Sequence, residues 1–332
     1  MTNGDASSAE DRLIARYFRP LVTHPGAFGL LDDAAAIAPP AGCDLVLTTD
    51  GVIAGVHFFP DDPPGTVGRK VLRMNLSDLA AKGATPVGFL MSIALPGEID
   101  EAWIAGFAAG IGEDAAHYGC PLLGGDTDHT PGPIAVSIAA FGAVPHGKMV
   151  RRATAQVGDC VIVTGTIGDA ALGLTLRREP TLAQKWRLSD VMVAQLVERY
   201  LLPQPRNALA ESVQRCASAA IDVSDGLAGD LAKLCRASAV ATEIDAGRVP
   251  LSEAARAAIA ADPALLETVL SGGDDYEIVL TLSPRQLDSF RSSAQAAGVA
   301  VTEIGRIAAG EGARFVRDGC AVSLPRPSYS HF

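Results

Sequence analysis

Strand-length apolar runs alternate with longer runs of helical period along this chain, and that alternation restricts it to folds that layer helices on sheets. DLVLTTD (44–50) precedes the helical run TVGRKVLRMNLSDLAAKGA (66–84), and the strand-like VGFLMSIALP (87–96) precedes the helical IDEAWIAGFAAGIGEDAAHYG (99–119). A short strand CPLLGG (120–125) and the strand IAVSIAAFGAV (134–144) follow. The polar, basic, glycine-bearing stretch PHGKMVRRATAQVGD (145–159) then interrupts the pattern. It sets a boundary between a domain over 1–150 and a second over 151–332. Beyond it CVIVTGTIG opens a second block, with helices over 169–178, 188–201 and 208–218, the strand-turn-helix AAIDVSDGLAGDLAKLCRAS, a helix over 251–261 and the strand YEIVLTL. Ahead of both blocks, Ser7 and Ser8 with the acids after them cap a first helix whose apolar positions are Leu13, Ile14, Tyr17, Phe18 and Leu21. The fold class is therefore α/β (α+β), in two domains.

With 332 residues, 48% of them hydrophobic, each domain can bury its own core. A formal net charge of −11 argues against nucleic acid as a partner. The six cysteines are scattered, with no C-x-x-C pair, and read as small core residues in a reducing compartment. The N-terminus has no signal-peptide pattern, and no apolar run reaches the roughly 18 residues that span a bilayer. The expected setting is cytoplasmic, without membrane partners.

Aspartate recurs where the apolar runs end, often beside glycine. Asp32 and Asp33 precede AAAI, Asp50 closes LVLTTD, Asp78 lies in NLSDLAAKGA, and Asp126 and Asp128 follow LLGG. Asp222 and Asp225 lie in IDVSDG, and Asp274 and Asp275 follow SGG. One such aspartate alone, like Asp190, is an ordinary cap or turn residue. A set of them on the rim where layered folds bind ligands is different, because gathered carboxylates repel unless protons or cations compensate. Aspartate and hydroxyl oxygens are hard ligands suited to Mg²⁺, which commonly bridges carboxylates to substrate phosphates. Thr48 and Thr49 beside Asp50 add such hydroxyls.

No G-x-x-x-x-G-K-[ST], H-E-x-x-H or G-x-S-x-G occurs, and GTIGDAALG (165–173) lacks dinucleotide-turn spacing, so it reads as a tight strand-to-helix turn. By its local surroundings His57, beside Phe58 and Phe59, is an ordinary packed or solvated histidine. Arg151 and Arg152 read equally as a phosphate clamp or a solvated linker.

Taken in order, LDDAAAI, TTDGVIAGVHF, NLSDLAAKGATP, GGDTD, VRR-x₅-GD, VTGTIGDAALGL, IDVSDGL, SGGDDYE and the closing HF resemble the thiamine-monophosphate kinase family. That family sits in the superfamily of aminoimidazole ribonucleotide synthetase. The resemblance implies ATP-dependent phosphorylation of thiamine monophosphate to thiamine diphosphate. It also implies a homodimer whose N-terminal domains, carrying ATP and Mg²⁺, pair their sheets into a barrel, with an α/β C-terminal domain behind. Carried onto this chain, the implied metal ligands are Asp33, Thr48, Thr49, Asp50, Asp78, Asp126, Asp222 and Asp225. The implied nucleotide contacts are Gly125, Asp126, Arg152 and Ser224; the implied substrate contacts are His57, Asp274 and Tyr329. No residue is implied as nucleophile or base, and Asp128, outside the matching motif, reads as a turn residue.

Two positions depart from the family pattern. Leu31 stands where a glycine is usual, so that turn has to form without a glycine's φ freedom, and Asp274 replaces a glutamate, one methylene longer. Tyr329 keeps an aromatic face at the thiamine end. The alternatives are another ATP-using member of the superfamily, or a catalytically silent nucleotide-binding module.

Overall fold

The computed structural model describes residues 8–329, so Ser7 and the closing Ser330, His331 and Phe332 lie outside the described residues. The chain divides into two compact units, one formed by the chain up to Leu76 with Pro86–Ala143, the other by Ser77–Thr85 with the chain from Val144 onward.

The first unit begins with α1 (Ala9–Leu13), whose N-cap is Ser8: its hydroxyl accepts the Asp11 amide while the Asp11 carboxylate accepts the Ser8 amide. The run expected as one helix changes pitch after Leu13, into a wider turn over Ile14–Phe18 and a tighter one over Arg19–Leu21. Pro20 explains the stop, since it supplies no amide to a continuing helix. Then come β1 (Cys43–Ile53), α2 (Pro64–Ala81, which from Ser77 onward belongs to the second unit), β2 (Thr85–Leu95), α3 (Glu101–His117), β3 (Leu122–His129) and β4 (Ala135–Pro145). The four strands form one sheet in the order β1-β4-β2-β3, with β2 and β3 parallel.

Glycine brings α2 and α3 together. A Cβ on Gly68 would sit 2.5 Å from the Phe107 carbonyl oxygen, and one on Gly110 would overlap the Gly65 backbone. This lets Val71, Leu72, Phe107 and Ile111 be fully or almost fully buried.

The second unit holds a seven-stranded sheet. Its elements are β5 (Cys160–Thr164), α4 (Asp169–Arg178), α5 (Leu182–Lys185), α6 (Asp190–Leu201), α7 (Ala210–Cys216), β6 (Ala219–Asp222), α8 (Leu227–Ser238), β7 (Ala241–Asp245), α9 (Glu253–Ala261), α10 (Leu265–Ser271), β8 (Ile278–Leu282), α11 (Leu287–Ala296), β9 (Val301–Ala308), β10 (Gly312–Arg317) and β11 (Cys320–Ala321). The strand order is β11-β10-β7-β9-β5-β8-β6, antiparallel except for the parallel pair β7 and β10. β5 is buried throughout because its two faces feed two cores. Val161 and Val163 join Leu172, Leu196, Leu231 and Val269 in one core; Cys160 and Ile162 join Leu209, Val213 and Phe290 in the other. No described helix is long and apolar enough to cross a membrane.

Three local expectations are corrected. The strand expected to end at Gly125 runs on through Asp126, Thr127 and Asp128 to His129, so Asp128 is a strand residue paired with Ala94 and not a turn residue. Likewise Asp50 lies inside β1. β1 and β3 are the sheet's edges, and an edge strand can carry polar side chains without burying them. Asp190 is the first residue of α6, whose cap is Ser189, its hydroxyl accepting the Met192 amide.

Gly110→Ala is expected to lower the unfolding free energy by about 1–3 kcal/mol through overpacking. Urea denaturation measures it; an unchanged midpoint would show that the helices do not meet through glycine.

Candidate active site

In the first unit a cleft of about 730 Å³ opens on the sheet. Leu47, Leu90 and Phe141 give it an apolar wall, and Asp33, Thr49, Gly125 and Asp126 line it together. Strand alternation decides which residues of TTD reach it. Thr49 faces the cleft and donates its hydroxyl to the Ile138 carbonyl at 2.9 Å, whereas Thr48 and Asp50 occupy the opposite face of β1. The Asp50 amide donates to Asn75 Oδ1 at 3.0 Å, and Asn75 Nδ2 donates to the Val71 carbonyl, so α2 holds this part of the strand. Gly125 is required by close approach: a Cβ there would overlap the Met91 carbonyl on the neighbouring strand.

The turn before the paired acids does not need glycine at position 31. Leu31 has φ −113°, and the left-handed residues are Phe28, Gly29 and Leu30. His57 is not among the cleft-lining residues; its Nδ1 accepts the Ile53 amide at 3.1 Å, tying the turn after β1.

In the second unit three motifs far apart in sequence are bonded into one cluster. The Asp274 amide donates to the Ser224 carbonyl at 2.8 Å, the Tyr276 amide to the Val223 carbonyl at 2.8 Å, and the Val223 amide to the Glu277 carbonyl at 2.7 Å. The Gly168 amide donates to both carboxylate oxygens of Asp275 at 2.9 Å, at the start of α4. The Tyr329 amide reaches the Asp225 carbonyl at 3.0 Å, so Ser224, Asp225, Asp274 and Tyr329 share one neighbourhood. Asp230 shapes the turn over α8: one of its oxygens accepts the Ser224 and Asp225 amides at 3.0 and 2.9 Å. Lys233 pairs with both Asp225 and Asp230.

The turn over 273–276 is strained. Gly273, Asp274 and Tyr276 have φ of 77°, 63° and 50°, conformations that cost of order 1–3 kcal/mol for residues with a Cβ and persist only where the surroundings fix them.

Asp78 and Asp222 form the other feature of this unit. Burial pushes the Asp222 carboxyl well above its ordinary range, the nearby charges of Asp78 and Asp230 push it the same way, and Ser77 and Lys82 oppose them. Ser77 Oγ donates to Asp222 Oδ2 at 3.0 Å, and Lys82 Nζ donates to the Ala220 carbonyl at 2.9 Å. Burial lowers the Lys82 pKa, as does the charge of Arg152, which places Arg152 within the same electrostatic field. The sequence reading missed Ser77, Asn75, Lys82, Asp230, Lys233 and Glu277. Polar residues close to Asp78 in the helical run 66–84 were the available signal for the first three.

No group of three or more His, Cys, Asp or Glu is gathered to hold a metal ion among the described residues. Mg²⁺ nevertheless fits the donor chemistry: the buried Asp222 has an acidic neighbour, and a cation relieves such a pair.

Comparison with known proteins matches residues 31–144 to the N-terminal domain of AIR synthase related proteins and residues 156–318 to their C-terminal domain. A thiamine-monophosphate kinase of Caulobacter vibrioides is 43% identical over 322 residues, 96% of this chain and 89% of that protein. The crystal structure of thiamine-monophosphate kinase from Stenotrophomonas maltophilia K279a is 38% identical, covering 94% of this chain and 96% of that one with a TM-score of 0.82. AaThiL complexed with AMPPCP and TMP is 30% identical, covering 92% and 97% with a TM-score of 0.76.

Asp230→Ala should destabilise the protein by about 1–3 kcal/mol, because two amides lose their buried acceptor. It should also speed amide hydrogen exchange at Ser224 and Asp225. Wild-type exchange at both would remove Asp230 from this role.

Proposed function

The chain belongs to the thiamine-monophosphate kinase family of AIR synthase related proteins, and from that membership we propose how its own residues carry the family's reaction. It is an ATP-dependent kinase that phosphorylates thiamine monophosphate to thiamine diphosphate. The observation that carries the reading is the likeness to a protein held with an ATP analogue and TMP together.

Asp33, Thr48, Thr49, Asp50 and Asp126 of the first unit, and Asp78, Asp222 and Asp225 of the second, are the proposed Mg²⁺ ligands. Mg²⁺, when bound, screens the repulsion between two phosphate-bearing substrates and neutralises charge on the transferred group. The Gly125 backbone, Asp126, Arg152 and Ser224 contact the nucleotide. Arg152 brings a fixed fork of donors to its phosphates, and the Gly125 backbone, held against Met91, lines the cleft where the nucleotide is proposed to lie. His57 meets the thiamine phosphate, while Asp274 and Tyr329 hold the thiamine end. An oxygen of the acceptor phosphate is itself the nucleophile in an in-line transfer, so the protein's contribution is alignment and no residue forms a covalent intermediate.

The proposed domain roles are that residues 1–150 carry ATP and Mg²⁺ binding and dimerisation, and that residues 151–332 form an α/β domain that adds Arg152, Asp222, Ser224 and Asp225. The proposed homodimer sets a second copy against the first unit's sheet, in a barrel of paired sheets, so that the wall given by Leu47, 66% exposed, and Leu90, 36% exposed, faces that copy as well as the cleft. Free cysteines, four of them buried, accord with a cytoplasmic setting.

Pure protein with Mg-ATP and thiamine monophosphate should yield thiamine diphosphate. Asp50→Asn and Asp126→Asn should each lower turnover by at least about 100-fold with an unchanged circular dichroism spectrum, given what removing one electrostatic group from a transition state costs. Wild-type turnover in both variants would overturn the metal assignment.

A further inference from the structure

Glu277 is fully buried and is held from three directions. Arg199 Nη2 donates to its Oε1 at 2.9 Å, Arg206 Nε to its Oε2 at 2.6 Å with Arg206 Nη2 on Oε1, and Thr164 Oγ1 to Oε2 at 2.7 Å. The Thr164 hydroxyl also accepts the Ile278 amide at 2.8 Å, and a Cβ at Gly165 would collide with the Glu277 carboxylate. Glu277 therefore joins the end of β5, the end of α6 and the segment before α7 at one point. Its own carbonyl accepts the Val223 amide, and it directly follows the strained turn that bears Asp274.

We propose that Glu277 is a positioning residue for phosphoryl transfer: through its bonds to Thr164, Arg199 and Arg206 it sets where the 222–225 turn and Asp274 stand relative to each other. The proposal rests on the reading that these two segments hold nucleotide and acceptor. Glu277 is fully buried and tied to both segments, to one through the Val223 amide and to the other through the chain, so its effect passes through their geometry. A misplacement of about 1 Å in aligned reactants costs up to roughly 100-fold in rate while leaving each partner's binding largely intact. The cluster should therefore be felt in kcat more than in KM.

Thr164 gives the cleanest test because it can be changed without removing a buried charge. Thr164→Val is expected to lower kcat by about 10-fold or more, with KM for ATP and for thiamine monophosphate within about 3-fold. Thr164→Ser, which restores the hydroxyl, is expected to recover kcat to within about 3-fold. Glu277→Gln should share the kcat loss; if it fails to fold, the Thr164 pair still decides. Wild-type kcat in Thr164→Val, with only a lower melting temperature, would reduce the cluster to a structural role and overturn the proposal, as would a rise confined to KM. Wild-type enzyme assayed alongside separates the two levels: no thiamine diphosphate from the wild type sinks the functional reading itself, and the positioning role with it.

Discussion

A carboxylate taken out of water must be given donors or a cation, and the second unit buries several of them, among them Asp222, Asp275 and Glu277. The solutions differ. Glu277 is surrounded by two guanidinium groups and a hydroxyl, and Asp275 takes the Gly168 amide on both oxygens. Burial still raises the Asp275 pKa well above its ordinary range; the charges of Asp169 and Glu277 push the same way, and the Gly168 amide and Arg199 oppose it. Asp222 has a serine hydroxyl and a nearby lysine, set against two acidic neighbours. Glu277 is met by protein donors alone, whereas Asp222 and Asp275 both stay raised, and at Asp222, beside Asp78, we propose that a substrate-borne cation meets the demand. The donors that hold Glu277 and Asp275 come from β5, α6, the segment before α7 and the start of α4, so these two carboxylates join those elements.

The first unit keeps its candidate-site acids at a surface. Asp33 and Asp126 stand on a cleft wall, and the polar end of β3 lies on a sheet edge where its acids stay hydrated. Tight backbone contacts hold this arrangement. Gly125 lies against Met91, and Gly68 and Gly110 let α2 and α3 approach, so α2 can support Asp50 through Asn75. Local packing and the placement of the acids are thus one problem in this unit.

Much of this was legible in the chain. The alternation of periods located α2, α3, β2, β4, β5, α4 and the β6 to α8 turn, because each is long or strongly patterned. The later strands β7, β9 and β10 were not read, since ATEID, VTEIGRIA and GARFVR mix charge with short apolar stretches and gain their stability from neighbours in the sheet. The acids were visible, but their faces were not: nothing local tells that Thr49 turns toward the cleft while Thr48 and Asp50 turn away. Leu31 is a related case. A missing glycine suggested a difficult turn, yet the left-handed positions lie at 28–30, one of them Gly29. Glu277 was invisible for a simpler reason, as its partners lie 71 to 113 residues away.

The central proposal is that aspartates of this chain, Asp126 and Asp222 among them, each ligate a cation when nucleotide is bound. A crystal structure with Mn²⁺ in place of Mg²⁺, a nonhydrolysable ATP analogue and thiamine monophosphate tests it directly, since anomalous scattering locates each Mn²⁺ independently of the protein trace. The account predicts Mn²⁺ within about 2.0–2.3 Å of carboxylate oxygens that include Asp126 and Asp222, as expected for hard-cation coordination. Nucleotide bound with Mn²⁺ on neither of these aspartates would contradict it.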